Sequence, residues 1–430
     1  MGLPKHRLKC RMWGGPSRCF QRATPGRIRT YDQKIKSLLL YHLSYGGVKP
    51  RAAMVTSLRL CASGSSSLNQ TQAAPHFTMS APPTLNTSVL GQEVPVARVV
   101  SALRELWSDE SAKMRASLMN FAIYTEDPSS LEHNTVLLSE LTREHSCRAL
   151  LILNLPGEAR PQVRAWVTAH CQLSHGLKSV CCEQVSFVIE GGNADQVRNT
   201  IFAHLDSDLP LVAWWQGELT ERLDERFLSV IDALIVDSTQ WSDPARSMRK
   251  LMEARAGQTS RFSLSDLTWM RTRCIRLTLA SAFQSAPLLA DLPKLNHVVI
   301  HHAKGHRLSG LMIAAWMGTQ LNCQAGKGPG IRLVREGGED IEFELREAEG
   351  SYAIQCMELN GAGISIRIRR DQVSGLSHTT VVHPSLRQET VHPVPANTEV
   401  DMISEQLSRL GGTTRYFEST PLLLALIEHA

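Results

Sequence analysis

The run Asp208-Leu209-Pro210-Leu211-Val212-Ala213-Trp214-Trp215 decides the fold. It is almost wholly apolar, and a continuous apolar run suits a strand buried on both faces, as in a parallel sheet. A helical stretch from Thr220 to Ile231 follows, then a second apolar strand, Ala233 to Val236. Strand, helix, strand at this spacing is a βαβ unit with a right-handed crossover. In open α/β sheets ligands sit beyond the carboxyl ends of the strands. Here those ends carry Gln216, Gly217 and Glu218 after Trp215, and Asp237 and Ser238 after Val236. Neighbouring strands would bring Trp215, Glu218 and Asp237 to one crevice. The competing reading is a helix-capping Asp237 and a pair of core tryptophans.

Working upstream, Val94 to Leu118 places Val96, Val99, Val100, Leu103, Leu106 and Trp107 at helical spacing. Leu118 to Tyr124 reads as a strand. Asp127-Pro128 reads as an N-cap followed by proline at the first helical position, opening a helix to about Glu144. Ala149 to Leu153 is a buried strand. Val163 to Gln172 and Ser179 to Glu190 form a hairpin about Ser174-His175-Gly176. With that centre Cys171 and Cys181 are directly opposed, within reach of a disulfide, and Cys182 points to the other face. A thiol switch is one reading, and free cysteines packed as small apolar groups the other. Asp195 to Leu205 is helical.

Working downstream, Asp243-Pro244 opens a helix, and Ser265 or Asp266 caps a longer one reaching about Phe283. Lys294 to His301 is a strand. Leu308, Leu311, Met312, Ala315 and Trp316 mark an amphipathic helix. Beyond Gly326 the period changes to two. Ile341, Phe343 and Leu345 alternate with charges, as do Ile364, Ile366 and Ile368, which predicts an antiparallel meander with one wet face. Two helices, near 400–410 and 419–428, close the chain. The expected fold is therefore α/β: a mixed sheet with a βαβ unit and flanking helices, then a second α/β region with an antiparallel meander. The expected domains are 79–260 and 261–430.

Composition narrows the function. The 430 residues are 43% hydrophobic and 20% charged, as in a globular protein with real cores. The net charge of +5 is misleading, because residues 1–78 hold 13 Lys and Arg against one acid, Asp32, whereas the remainder holds 33 bases against 40 acids. The first 78 residues read as a basic, low-order extension, with translation starting at Met79 as the favoured reading. The acidic remainder argues against a nucleic-acid partner, and no apolar run is long enough to span a membrane. Outside that extension lie seven irregularly spaced cysteines and no C-x-x-C, which favours a reducing, cytoplasmic setting. Neither G-x-x-x-x-G-K-[ST] nor G-x-G-x-x-G nor G-x-S-x-G occurs, so no cofactor and no catalytic residue is expected. His301, His302 and His306 cluster, but Gly305 breaks their common face and no metal site is expected.

Several segments together resemble one family. They are Cys182-Glu183-Gln184-Val185, the run 208–215 with its paired tryptophans, Leu234-Ile235-Val236-Asp237-Ser238, Asp243-Pro244, and Asp266-Leu267-Thr268-Trp269-Met270-Arg271. In this order and spacing over 93–320 they resemble the glucose-6-phosphate dehydrogenase assembly protein family, OpcA. The family usually continues the last motif with Leu-Thr-Pro-Trp-Arg. Here it reads Thr272-Arg273-Cys274-Ile275-Arg276, so only the arginine is kept and the helix is expected to run straight through. The resemblance implies no catalysis. It implies a non-enzymatic assembly factor or allosteric activator whose partner is glucose-6-phosphate dehydrogenase, in the oxidative pentose phosphate route. Carried over residue by residue, it implies partner contacts at Trp214, Trp215, Asp237, Asp266, Trp269, Arg271 and Arg276, and a redox role for Cys171, Cys181 and Cys182. The alternative is a sugar-phosphate binder or enzyme using Trp215, Glu218, Asp237, Arg271 and Arg276, since arginine forks suit phosphate.

Overall fold

The run 211–215 lies wholly buried in a nine-stranded sheet. In the computed structural model the described residues run from 85 to 429, apart from 109–112, 116, 156, 158–161, 175–177, 257–261, 337–338, 396–397 and 410–413. The extension before residue 79, Met79 itself and the hairpin tip at His175 and Gly176 therefore lie outside the described residues.

The first sheet comprises β1 (Gln92–Val94), β2 (Lys113–Arg115), β3 (Met119–Thr125), β4 (Cys147–Leu155), β5 (Gln162–Ser174), β6 (Lys178–Glu190), β7 (Leu211–Trp215), β8 (Ala233–Val236) and β9 (Ser263–Asp266). Their order is β1-β5-β6-β4-β3-β7-β8-β9, with β2 beside β6. From β6 to β9 all neighbours are parallel. The chain builds outward from β3 through β4 to β6, then returns to the other side of β3 and builds through β7 and β8 to β9. This is the doubly wound arrangement, and its direction reverses between β3 and β7. Every residue of β3 and β7 is buried, as central parallel strands covered on both faces require. Phe121, Ile123, Leu151, Leu153, Val212, Trp214 and Ile235 form one core cluster with Leu267 and Met270.

The second sheet comprises β10 (Leu295–His302), β11 (Gln324–Ala325), β12 (Ile331–Val334), β13 (Ile341–Glu347), β14 (Ile354–Gly361), β15 (Ile364–Asp371), β16 (Leu376–His383) and β17 (Leu386–Pro393). Its order is β11-β12-β13-β10-β14-β15-β16-β17, and β10 with β13 is its parallel pair. From β14 to β17 it is the expected antiparallel meander, with inward Ile364, Ile366 and Ile368 between exposed Ser365, Arg367 and Arg369. The helix Arg307–Gln320 is buried almost all round and packs against β10, β13 and the last helix, Thr414–His429.

Four local expectations change. The first amphipathic helix is shorter, Val99–Ser108: at its start Pro95 and a single turn, Val96–Arg98, separate it from β1, which pairs with β5, and past its end Lys113–Arg115 joins the sheet as β2. Between Thr220 and Ile231 only Glu225–Leu228 is helical. Thr220 and Arg222 are instead held by Glu126, at 3.1 and 3.3 Å, and the Asp224 carboxylate caps the short turn through Phe227 N at 2.8 Å. The helix after Asp266 does not run through: Leu267–Arg271 ends at Thr272 and Arg273–Ala282 begins anew. The Thr272 hydroxyl donates to the Trp269 carbonyl at 2.8 Å, the local side-chain bond that competes with a continuous helix. Finally, β9 lies beyond residue 260 yet completes the first sheet, and the helix Glu399–Arg409 adds Met402, Ile403 and Leu407 to that sheet's core.

Candidate functional site

The carboxyl ends of β8 and β9 each finish in an aspartate that caps the following turn. Asp237 follows β8, and its Oδ1 accepts from Thr239 N at 3.2 Å, Thr239 Oγ1 at 2.6 Å and Thr268 Oγ1 at 3.0 Å. Arg271 grips the same carboxylate as a fork, NH1 to Oδ1 at 2.8 Å and NH2 to Oδ2 at 2.7 Å. Burial works to raise the Asp237 pKa, but the Arg271 hydrogen bonds and charge outweigh it, and the carboxyl is held below its usual range. Arg271 is pushed up in turn: burial opposes its charge, and Asp237 more than offsets that.

Asp266 ends β9 and is fully buried. One oxygen accepts from Ser238 N at 3.2 Å and Thr268 N at 2.9 Å, and the other from the Tyr416 hydroxyl at 3.1 Å. Burial, aided by the nearby negative charge of Asp237, raises its pKa to about 6. Tyr416 also meets the Trp269 ring edge-on at 5.7 Å. The Arg276 guanidinium carbon lies over the Trp269 ring, 3.6 Å from its centroid, and the group donates to Thr272 Oγ1 at 3.0 Å and the Trp269 carbonyl at 3.2 Å. His306, at the amino end of the helix Arg307–Gln320, lies within the field of Arg271 and Asp237. Burial, then the Arg271 charge, lowers its pKa.

Five of the seven expected partner residues thus meet in one place: Asp237, Asp266, Trp269, Arg271 and Arg276. Trp214 and Trp215 do not join them. Both are buried core residues. Trp215 stacks on Tyr124 at 3.8 Å and donates its Nε1 proton to the Glu218 carbonyl at 2.9 Å, closing the loop after β7. The expectation that Trp215 faces a crevice is corrected accordingly: alternation along β7 points it into the core. Glu218 is occupied as the acceptor of the Ser242 amide. Sequence reasoning missed Thr239, Thr268, His306 and Tyr416. Thr268 has a local signal, standing two residues after the capping Asp266. Tyr416 has none, because it arrives from 150 residues away.

The three cysteines lie on the opposite side of the sheet. Cys171 and Cys181 are directly paired between β5 and β6, 4.1 Å apart at Cα, and form a disulfide. Cys182 faces the other way, buried, with its Sγ 3.9 Å from the Thr142 carbonyl and Cys147 beside it. Burial pushes the Cys147 thiol up to about 12.

The reversal point between β3 and β7 opens into a crevice of about 470 Å³, lined by Thr125, Glu126, Asp127, Gln216, Glu218 and Gln240 among others. Doubly wound folds that hold dinucleotides place the pyrophosphate here, on glycines and free helix amides. This crevice does not fit one. No glycine lies between Thr125 and Ser130. Asp127 Oδ1 itself accepts from the Ser129 amide at 2.9 Å, filling the position a phosphate oxygen would take. Glu126, Glu218 and Glu399 add further negative charge. Among the described residues no group of three or more His, Cys, Asp or Glu could hold a metal ion, and no helix is long and apolar enough to cross a membrane.

The fold and site together define a doubly wound α/β protein with an appended sheet and without the glycine fingerprint of a nucleotide enzyme. Comparison with known families is specific. Residues 138–253 match the family model described as the glucose-6-phosphate dehydrogenase subunit N-terminal domain, and residues 262–420 match that of its C-terminal domain. The chain belongs to the OpcA family of glucose-6-phosphate dehydrogenase assembly proteins. It is similar to the putative OxPP cycle protein OpcA of Synechocystis, 22% identical over 362 residues, which cover 74% of this chain and 72% of that one. Among solved structures it is similar to the probable oxidoreductase yhhX, with 9% identity and a TM-score of 0.43 over 73% of this chain and 97% of that one. The 3-ketoreductase KijD10 of Actinomadura kijaniata shows 8% identity and a TM-score of 0.43 over 73% and 96% of the two chains. The aldose-aldose oxidoreductase of Caulobacter crescentus shows 11% and 0.39 over 73% and 97%. Likeness at that level says nothing of activity.

Proposed function

We propose that this chain is a non-enzymatic assembly factor and allosteric activator of glucose-6-phosphate dehydrogenase, acting in the cytoplasm in the oxidative pentose phosphate route. Family membership supplies the partner. The observation that carries the non-catalytic half of the reading is the closed Asp237–Arg271 fork. Both oxygens of Asp237 are engaged by Arg271, and the carboxylate is 3% exposed. A general acid or base must reach its substrate's proton, and this carboxylate reaches only its own neighbours. Arg276, partly exposed on its Trp269 platform, and the outer edge of Arg271 are the side chains we assign to the partner. Arginine and tryptophan are among the residue types enriched at interface hot spots. Asp237 and Asp266 act from beneath, by holding that edge in place, and Trp214 belongs to the core on which Leu267 and Met270 pack.

Activation in this reading is preferential binding to the active state of the dehydrogenase. Titration of the full chain into the cognate dehydrogenase tests it. The expected result is a lower apparent substrate requirement, together with a larger particle by light scattering. Absence of both, in oxidising and in reducing buffer, would remove the proposal.

A sugar-phosphate site around Trp215, Asp237 and Arg271 has less support. Trp215 is in the core, and the Arg271 fork that would hold phosphate is already occupied by Asp237.

A further inference from the structure

A second arginine stands in the opposite condition from Arg271. Arg370, on β15, is 5% exposed, and its Nε, NH1 and NH2 atoms have no hydrogen-bond partner among the described residues. No carboxylate lies within ion-pair distance of it among the described residues. The ionisable groups that face it are Cys274, from the helix Arg273–Ala282 packed on β15, and Tyr352, whose ring centroid lies 5.0 Å from the guanidinium carbon. Arginine cannot shed its proton at physiological pH, so this charge is buried with no countercharge, and the Tyr352 ring face is its electrostatic contact.

Its surroundings are polar donors in the same unpartnered state. Arg370 is directly opposite Ser377 on β16, and Ile368, two residues before it, is opposite Thr379. Residues directly opposite, and residues two apart, share one face of a sheet. Ser377 and Thr379 are each 4% exposed, and both hydroxyls lack a partner among the described residues. A guanidinium that can only donate and two hydroxyls that can donate or accept thus share one face of adjacent strands, all without a hydrogen-bond partner among the described residues. Ordinary buried polar groups are paired. An oxyanion offers both the countercharge that the guanidinium lacks and several acceptor oxygens.

We propose that Arg370, Ser377 and Thr379 form a binding site for a tetrahedral oxyanion of the phosphate type, either free phosphate or the phosphate of a phosphomonoester. The fork takes two oxygens side by side, as guanidinium groups do with phosphate, and the hydroxyls donate to the others. Tyr352 and Cys274 wall the site. It lies on the second sheet, uses none of the Asp237–Arg271 residues, and does not depend on the dehydrogenase, so the two proposals can fail separately.

Thermal unfolding of the full chain is measured at constant ionic strength in chloride, inorganic phosphate, glucose 6-phosphate, glucose and acetate. Equilibrium dialysis with radiolabelled phosphate gives the stoichiometry. Phosphate at saturating concentration is expected to raise Tm by at least about 3 °C over chloride and to bind once per chain. An equal rise with phosphate and glucose 6-phosphate assigns the site to the phosphate group alone, and a larger rise with the ester assigns it to a phosphomonoester. In Arg370→Met the phosphate-dependent rise disappears, while Tm in chloride stays at or above that of the parent, because an unpaired buried charge has been removed. The paired variant Ser377→Ala with Thr379→Val keeps the arginine and is expected to need at least about tenfold more phosphate for the same rise, the loss of roughly 1.4 kcal/mol. No rise with any phosphate species, a rise with acetate alone, or an undiminished rise in either variant would overturn the assignment.

Discussion

The Tyr416 hydroxyl donates to Oδ2 of the fully buried Asp266 at 3.1 Å, tying the last helix to the end of β9 across 150 residues of chain. Asp266 in turn receives the amides of Ser238 and Thr268. One carboxylate therefore joins the turn after β8, the turn after β9 and the C-terminal helix. Tyr416→Phe removes a single oxygen and leaves a buried acceptor unsatisfied. The expected loss is about 1–3 kcal/mol in urea unfolding, with secondary structure unchanged. A loss below about 0.5 kcal/mol would show that the tie is not structural.

Asp266 also sets a pH dependence. Its pKa in the folded chain is raised to about 6, from 3.8. Between those values the native state holds the proton that the unfolded chain releases. The stability from this group is full below the lower value and is lost as pH rises through the higher one. Asp237, held below its usual range, works in the opposite sense and loses its contribution only at lower pH. Asp266→Asn is therefore expected to remove a decline between pH 4 and 6 on the order of 2 kcal/mol. Unfolding curves of both chains across that range check it, since the histidines with lowered pKa contribute equally to each.

The Asp237–Arg271 fork predicts non-additivity. Arg271→Ala leaves a buried carboxylate with no countercharge and is expected to cost about 3–5 kcal/mol. Combining it with Asp237→Asn removes the stranded charge, so the double variant is expected to be more stable than Arg271→Ala alone. Urea unfolding of the three variants gives the coupling directly. Additive losses would mean that the two side chains do not act as a pair.

Thiol accessibility gives a fourth test. Cys147 and Cys182 are buried, and burial pushes Cys147 up to about 12. In the folded protein they are expected to alkylate more slowly than the partly exposed Cys274, Cys323 and Cys356. Cys171 and Cys181 are expected to label only after reduction, as read by mass spectrometry of the digested chain. Their bond closes a short loop, so Cys171→Ser is expected to cost about 2–3 kcal/mol under non-reducing conditions.

The elements that strong local patterns specify were legible in the sequence. The run ending in Trp214-Trp215 is a strand buried on both faces, and the alternating isoleucines 364, 366 and 368 line the inner face of the second sheet. That Cys171 and Cys181 stand opposite each other follows from hairpin symmetry, whereas the bond between them does not, since free packed cysteines fit the same symmetry. Whether Trp215 faces the core or a crevice was not legible, because a strand buried on both sides has no polar face to orient it. The short helix Glu225–Leu228 was overestimated because ties from Thr220 and Arg222 to Glu126, nearly a hundred residues earlier, leave no local trace. Arg370 did leave one. It continues the inward parity of Ile364, Ile366 and Ile368, and a charge at an inward position is the signal that alternation offers for a buried site.

The central claim is that the edge formed by Arg271 and Arg276 recognises the dehydrogenase. Arg276→Glu reverses a partly exposed charge while leaving the Asp237–Arg271 fork intact. In a titration of cognate glucose-6-phosphate dehydrogenase at moderate ionic strength, the parent chain is expected to bind and lower the apparent substrate requirement. The variant gives up the Trp269 contact and two hydrogen bonds, so it is compared under conditions where circular dichroism shows both chains folded, and it is expected to bind at least about tenfold more weakly. Binding and activation undiminished by Arg276→Glu would contradict the account.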